Sequence, residues 1–294
     1  MRLTELTDAR PAARSLAVGT FDGVHVGHRD VISSADGVLT FEPHPASVVA
    51  PERAPELLTP LAVKADLVAS LGVEELIIVR FDAAFAAQSA EAFIDDVLVG
   101  RLGAREVSVG ENFRFGAHAL GDAALLAADG RFAARVVPLR EMDGEIVSSS
   151  RIRSLIKLGD VAAAGRLLGD PFELRGQVVA GDRRGRTLGF PTANLVPEEG
   201  VACPGHGVYA CLANGLPAAV SIGVRPTFGA GRHELIEAHL IDFDGDLYGS
   251  ELRLHFLERL RGERRFESAE ALIEAMHADV AAALRIASAT LRCR

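Results

Sequence analysis

The chain changes its hydrophobic rhythm near the middle. Over residues 15–138, short apolar runs alternate with longer stretches of helical spacing. The runs are Ser15–Val18, Val38–Phe41, Leu76–Val79, Val107–Val109 and Arg135–Val137. Near-continuous apolar character over so few residues predicts strands covered on both faces. Leu61–Leu71 and Ala90–Leu102 carry the helical spacing between them, with Phe93, Ile94, Val97 and Leu98 forming one stripe in the second. Strand–helix alternation predicts an α/β domain, a parallel sheet with helices on both faces. Two further helical pieces follow. Ser148-Ser149-Ser150 reads as a cap before Ile152, Leu155 and Ile156, and Ala162–Leu168 resumes after Gly159-Asp160.

Gly169-Asp170-Pro171 breaks the pattern, which predicts domains at 1–169 and 170–294. Beyond it, strand-like runs fall at Gln177–Ala180, Val208–Leu212, Ala218–Ile222, Leu235–Ile241 and Leu252–Leu257. Asn214-Gly215, Gly229-Ala230-Gly231 and Asp244-Gly245-Asp246 separate them as turns. This spacing predicts a small antiparallel β-barrel. A closing helix is expected with Ala269, Leu272, Ile273, Met276, Val280 and Leu284 on its buried face.

Bulk properties narrow the class. At 294 residues the chain has room for two domains, each with its own core. The net charge of -9 argues against a broad nucleic-acid footprint, which needs a basic face. It does not argue against ATP, which needs only local donors and a metal ion. No apolar run approaches the ~20 residues that span a bilayer. The opening Met1-Arg2-Leu3-Thr4-Glu5 lacks the order of a secretory signal, so no membrane partner and a cytoplasmic location are expected. Cys203, Cys211 and Cys293 are odd in number and match no zinc spacing, which predicts reduced thiols.

Each half carries a glycine-rich motif after a strand-like run. The first is Gly19-Thr20-Phe21-Asp22-Gly23-Val24-His25-Val26-Gly27-His28. Its glycines allow backbone N–H groups close to an anion, and His25 and His28 are spaced to face one phosphate chain. Imidazole donors there suit attack on an α-phosphate with pyrophosphate leaving, a reaction that needs no protein nucleophile. The second is Gly185-Arg186-Thr187-Leu188-Gly189-Phe190-Pro191-Thr192-Ala193-Asn194. If Thr192 and Asn194 are extended they share a side, and their oxygens suit Mg²⁺ held jointly with phosphates. Neither motif is the lysine-bearing phosphate loop, because no Gly-Lys pair occurs.

With these motifs, the chain resembles the bacterial bifunctional riboflavin kinase/FAD synthetases along nearly its whole length. Further matching segments are Thr40-Phe41-Glu42-Pro43-His44-Pro45, Gly110–Gly116, Ser148–Arg153, Ile222–Gly229 and Ile236–Phe243. The resemblance implies an α/β nucleotidyltransferase-like domain that adenylylates FMN, then a riboflavin kinase-like barrel with a C-terminal helix. Small molecules would be the partners: ATP as co-substrate, riboflavin, FMN and FAD as substrate and products, and Mg²⁺ as cofactor.

In the first half it implies ATP-phosphate contacts for His25 and His28 within a loop bearing Gly19, Phe21 and Gly23. It also implies a triphosphate clamp at Ser149, Ser150 and Arg153, and a flavin contact at Asn112. In the second half it implies phosphate binding at Gly185 and Arg186, metal binding at Thr192 and Asn194, a general base at Glu237 and a flavin-side arginine at Arg261. Three departures stand out: Ser150 replaces the usual Thr, Ser221 replaces the usual Asn, and the segment between His28 and Thr40 is short. That shortening raises the alternative of a monofunctional riboflavin kinase. A flavin-binding regulator without turnover is a further alternative, disfavoured by an intact base and metal set. Oligomeric state is not legible.

Overall fold

A computed structural model describes residues 1–180, 189–224 and 234–292, which fall into two compact units, Met1–Ser149 and Ser150–Arg294. The family's Gly185 and Arg186 positions, and Arg225–Gly229, lie outside the described residues.

The first unit is built on a parallel six-stranded sheet. Its strands are β1 (Arg2–Glu5), β2 (Arg14–Val18), β3 (Gly37–Glu42), β4 (Glu75–Arg80), β5 (Ala104–Gly110) and β8 (Ala133–Val137), ordered β1-β4-β3-β2-β5-β8. Two short hairpins hang from it: β6 (Arg114–Phe115) with β7 (Gly121–Asp122), and β9 (Glu141–Met142) with β10 (Glu145–Ile146). Side chains alternate between faces, so one sheet makes two cores. Leu16, Val18, Leu39, Ile77, Val107 and Val109 pack on one side with Phe93, Ile94, Val97 and Leu98. Ala17, Val38, Leu76 and Ile78 pack on the other with Val31, Ile32, Ala65 and Val68. The expected stripe of Ala90–Leu102 is thus buried as drawn, although Phe93–Arg101 is wound as a wider π-helix.

The strand order positions the first site. From β2 the chain steps outward to β3 and β4, and later returns to the other flank of β2 as β5. The carboxyl ends of β2 and β5 therefore frame the crevice where ligands of open α/β sheets bind. β1 is a strand the hydrophobic pattern does not show. It holds the sheet edge through Glu75, whose carboxylate receives Arg2 (3.1 Å), Thr4 (2.7 Å) and Arg14 (3.2 Å).

The second unit opens one residue into the helix Ser149–Leu158, and the helix Val161–Leu168 follows. The Asp160 carboxylate caps the second at the Ala163 N–H (3.0 Å), and Gly169, at φ 81°, ends it. A closed antiparallel barrel follows, in the order β11 (Phe172–Val179), β12 (Ala193–Pro197), β15 (Glu234–Leu240), β14 (Leu216–Val224), β13 (Gly207–Ala213) and β16 (Glu251–Arg261). Leu174, Leu195, Tyr209, Val220, Ile236, Leu254 and Phe256 fill its interior. The Asn214-Gly215 turn joins β13 to β14 with both residues at positive φ, as a two-residue hairpin demands.

The helix Ala269–Arg292 lies on the outer face of β13 and β14, but rotated from the expected stripe. Ala275, Ala283 and Ala287 are its buried residues, whereas Leu284 is exposed. Small residues win this face because Ala283 meets Ala210 and Ala219 on the barrel, and short side chains let the backbones approach.

Candidate active sites

The first site grows from the turn between β2 and the helix Val26–Ile32. Backbone strain is concentrated here: Phe21, Gly23 and Val24 all have positive φ, at 48°, 93° and 40°. For β-branched Val24 this is costly, and neighbours must hold it. Asp22, 2% exposed, does much of the holding. Its carboxylate accepts from the N–H groups of Leu58 and Thr59, both at 2.9 Å, while the Thr59 hydroxyl accepts from the Gly23 N–H at 2.8 Å. Gly19 is required by close approach, since a Cβ there would sit 3.0 Å from the Phe21 ring.

The two histidines are stacked, with ring centroids 3.5 Å apart and planes 16° from parallel. His25 caps the helix: its Nδ1 accepts from the His28 N–H at 3.2 Å. That bond fixes the tautomer and leaves the ring proton on Nε2. Burial lowers the His25 pKa from 6.5 to about 4. Burial also pushes His28 well down, helped by the charges of His25 and Lys64. Both rings are therefore neutral donors near pH 7. His28 Nδ1 is buried with no hydrogen-bond partner.

Lys64, 4% exposed, donates to Thr40 Oγ1 at 3.3 Å, and the charges of Asp22 and Glu42 oppose the fall that burial imposes on its pKa. A buried cation beside two neutral donors makes an anion-receptive floor. The Ser149 hydroxyl donates to the Asp22 carbonyl at 2.8 Å, which ties the serine segment to the histidine loop. Ser150 and Arg153, further along that helix, belong to the second compact unit. Asn112 is exposed in the turn after β5, next to β2 in the sheet. Thr59 is not singled out by the sequence, and Lys64, which fits a family position, carries no role there; both lie far from the motif along the chain.

The second site lies on the outer wall of the barrel. The register pairs Asn194 with Glu237, Glu237 with Ser221, Ser221 with Val208, and Val208 with Arg261. Residues directly opposite each other share a face, so these side chains form one lateral row. The expected metal ligand and expected base are thus neighbours, and Ser221 stands beside the base on its other flank. Thr192 and Asn194 are half-buried, as is Glu237.

Contacts invisible in the motif surround this row. The Phe190 ring is met edge-on by His239 and His277, at centroid distances of 5.5 and 4.9 Å. The Pro191 carbonyl lies 2.8 Å from His239 Nδ1. Arg261 forms a bidentate pair with Asp279 of the C-terminal helix, at 3.1 and 2.8 Å, and its guanidinium lies 5.5 Å from the Phe266 ring centre. Among the described residues no group of three or more His, Cys, Asp or Glu could hold a metal. The donors available are hard oxygens, which fit a Mg²⁺ whose other ligands come from phosphate and water.

A parallel sheet with a strained, histidine-bearing loop at its crevice, followed by a barrel with an amide–carboxylate row outside, defines a two-domain nucleotide-dependent transferase. Comparison with known proteins makes this specific. The FAD synthetase family model matches residues 7–151, and the riboflavin kinase model matches residues 168–287. The bifunctional riboflavin kinase/FMN adenylyltransferase of Bacillus subtilis is 38% identical over 293 residues, covering 92% of this chain and 91% of the relative. That of Escherichia coli K12 is 39% identical over 275 residues, 87% of each chain. That of Pseudomonas fluorescens is 37% identical over 302 residues, 96% of each. The crystal structure of a macrolide-efflux protein from Streptococcus pneumoniae matches with a TM-score of 0.86 at 30% identity, covering 95% of this chain and 97% of that one.

The chain belongs to the bifunctional riboflavin kinase/FMN adenylyltransferase family. It phosphorylates riboflavin to FMN and adenylylates FMN to FAD, with ATP as donor in both steps. The presence of both domains sets aside the monofunctional alternative raised by the short segment after His28. Structurally that segment costs little, because the helix begins at Val26, inside the motif, and β3 starts at Gly37. No helix among the described residues is long and apolar enough to cross a membrane.

Proposed function

We propose that Glu237 is the general base of the kinase reaction and that His25 and His28 are the charge-stabilising donors of the adenylyl transfer. The pairing of Glu237 with Asn194 carries the first assignment. A riboflavin hydroxyl placed against Glu237 would lose its proton to the carboxylate as its oxygen attacks the γ-phosphorus of ATP, and ADP leaves. Such a base is worth roughly 10²–10⁴-fold. Thr192 and Asn194 would hold Mg²⁺, which when bound neutralises phosphate charge. Arg261 would stand at the flavin mouth, held there by Asp279, with Gly185 and Arg186 supplying donors to phosphate.

In the first unit, an FMN phosphate oxygen would attack the α-phosphorus of ATP, and pyrophosphate leaves. Neutral His25 and His28 would donate to the oxygens that gain charge, with the Lys64 charge close enough to act on His28. Phe21 and the Gly19 and Gly23 backbone would shape the phosphate cradle, Ser149, bonded to the Asp22 carbonyl, would stand at its edge, and Asn112 would contact the flavin. A pathway consuming ATP twice belongs in the cytoplasm, and small molecules suffice as partners.

The test is Glu237→Gln, which keeps the size and removes the proton acceptor. Riboflavin phosphorylation should fall at least about 100-fold while adenylylation of supplied FMN continues. Wild-type phosphorylation by this variant would remove Glu237 from the base role.

A further inference from the structure

We propose that His239 is a positioning residue for the kinase reaction, fixing the metal-bearing segment by donating a hydrogen bond from Nδ1 to the Pro191 carbonyl. The inference rests on the assignment of Thr192 and Asn194 to Mg²⁺. The β12–β15 ladder starts at the Ala193–Ala238 pair and continues through Asn194–Glu237 to Leu195–Ile236. One step earlier in the same register, Thr192 would face His239, yet the ladder does not reach it. Pro191 has no N–H to extend the pairing. A side chain takes over at this point. His239 Nδ1 lies 2.8 Å from the Pro191 oxygen. A carbonyl can only accept, so Nδ1 carries the proton.

The geometry makes this bond more than a local tie. His239 and Glu237 alternate along β15 with Ala238 between them, so both project from the same outer face. Ala238 is fully buried, which leaves its two neighbours on the outside. One strand therefore supplies the base and also grips the residue preceding Thr192. The Phe190 ring, 5% exposed, is held edge-on by His239 from the strand and His277 from the C-terminal helix. The segment that would carry the metal is pinned at its carbonyl and at its ring, immediately before its first ligand. Orienting contacts of this type, removed by mutation, typically cost roughly 10–100-fold in metal affinity or activity.

Asparagine and glutamine separate the hydrogen bond from the ring. An Asn amide N–H takes the place of Nδ1, whereas a Gln amide reaches the place of Nε2. Riboflavin phosphorylation would be measured against free Mg²⁺ for wild type, His239→Asn, His239→Gln and Thr192→Ala, with thermal unfolding of each protein followed by circular dichroism as the check on folding. The half-saturating Mg²⁺ concentration should rise roughly 10–100-fold in His239→Gln and stay close to wild type in His239→Asn. Equal behaviour of the two amides, whether both normal or both impaired, would overturn the inference. A normal Mg²⁺ response in Thr192→Ala would instead refute the metal assignment, and the inference would fall with it. Selectively ¹⁵N-labelled wild-type protein gives a readout without mutation: at pH 8 His239 should show the Nδ1-protonated tautomer, and the Nε2-protonated one would equally overturn the inference.

Discussion

His25 shows how one side chain can cap a helix and still keep a donor for the role proposed for it. Its Nδ1 accepts from the His28 N–H, so Nε2 is the atom left to donate. Neutrality is the condition for both tasks, and burial enforces it by moving the pKa from 6.5 to about 4. The same burial makes stability depend on pH. Between those two values the unfolded chain binds a proton that the folded His25 refuses, so stability is full above 6.5 and is lost as pH falls towards 4. The loss amounts to roughly 3 kcal/mol at the acid end, and His28 adds to it in the same direction. Denaturant unfolding at pH 7 and pH 4.5 should therefore show a smaller loss in His25→Gln than in wild type. Parallel losses would mean that neither fold nor solvent distinguishes this imidazole. The motif made both histidines legible from sequence. Their stacking, and the charge of Lys64 felt by His28, were not, because they depend on strand order.

At the scale of elements, the loops around the first site are held by a single carboxylate. Asp22 is part of the glycine-rich motif, yet it acts on Leu58 and Thr59, 36 and 37 residues away. Removing it leaves two N–H groups without their acceptor. Asp22→Ala should lower stability by roughly 2–4 kcal/mol, and Asp22→Asn, which keeps an acceptor oxygen, by less. Chemical denaturation of the three proteins checks the order. Where periodicity is strong, elements were legible: five sheet strands, the 61–70 helix and the barrel strands other than β12. β1 was missed because an edge strand of mixed polarity has no period to read, and its anchor is Glu75. β12 was missed because only Leu195 of its five residues is buried. The expected face of the C-terminal helix is partly right: Leu272, Ile273, Met276 and Val280 are half-buried, but the fully buried positions are Ala275, Ala283 and Ala287, which a reading that favours large side chains passes over.

For the whole molecule, the residue sets proposed for the two reactions do not overlap. Two damaged proteins should therefore complement each other through free FMN. His28→Ala should retain riboflavin phosphorylation, Glu237→Gln should retain FMN adenylylation, and a mixture given riboflavin, ATP and Mg²⁺ should make FAD. Chromatography of flavins over time reads this directly. A mixture that accumulates FMN without FAD would show that the product of the first reaction does not reach the second site through solution.

The closure of the barrel has a consequence for how such a chain can change. The row from Asn194 through Glu237 and Ser221 to Val208 and Arg261 crosses five strands of a closed barrel, and β15 is held in unbroken register by β12 on one side and β14 on the other, whereas the β13–β16 ladder shifts register just beyond Val208. Inserting one residue within β15 upstream of Glu237 would turn the carboxylate inward among Leu195, Ile222 and Ile236, and no free edge exists to absorb the slip. Drift in length is thus confined to the turns, where Asn214-Gly215 and its counterparts can lengthen without moving the row. The spacing between Pro191 and Asn194, and between Glu237 and His239, is fixed by the architecture as firmly as the residues are fixed by the chemistry.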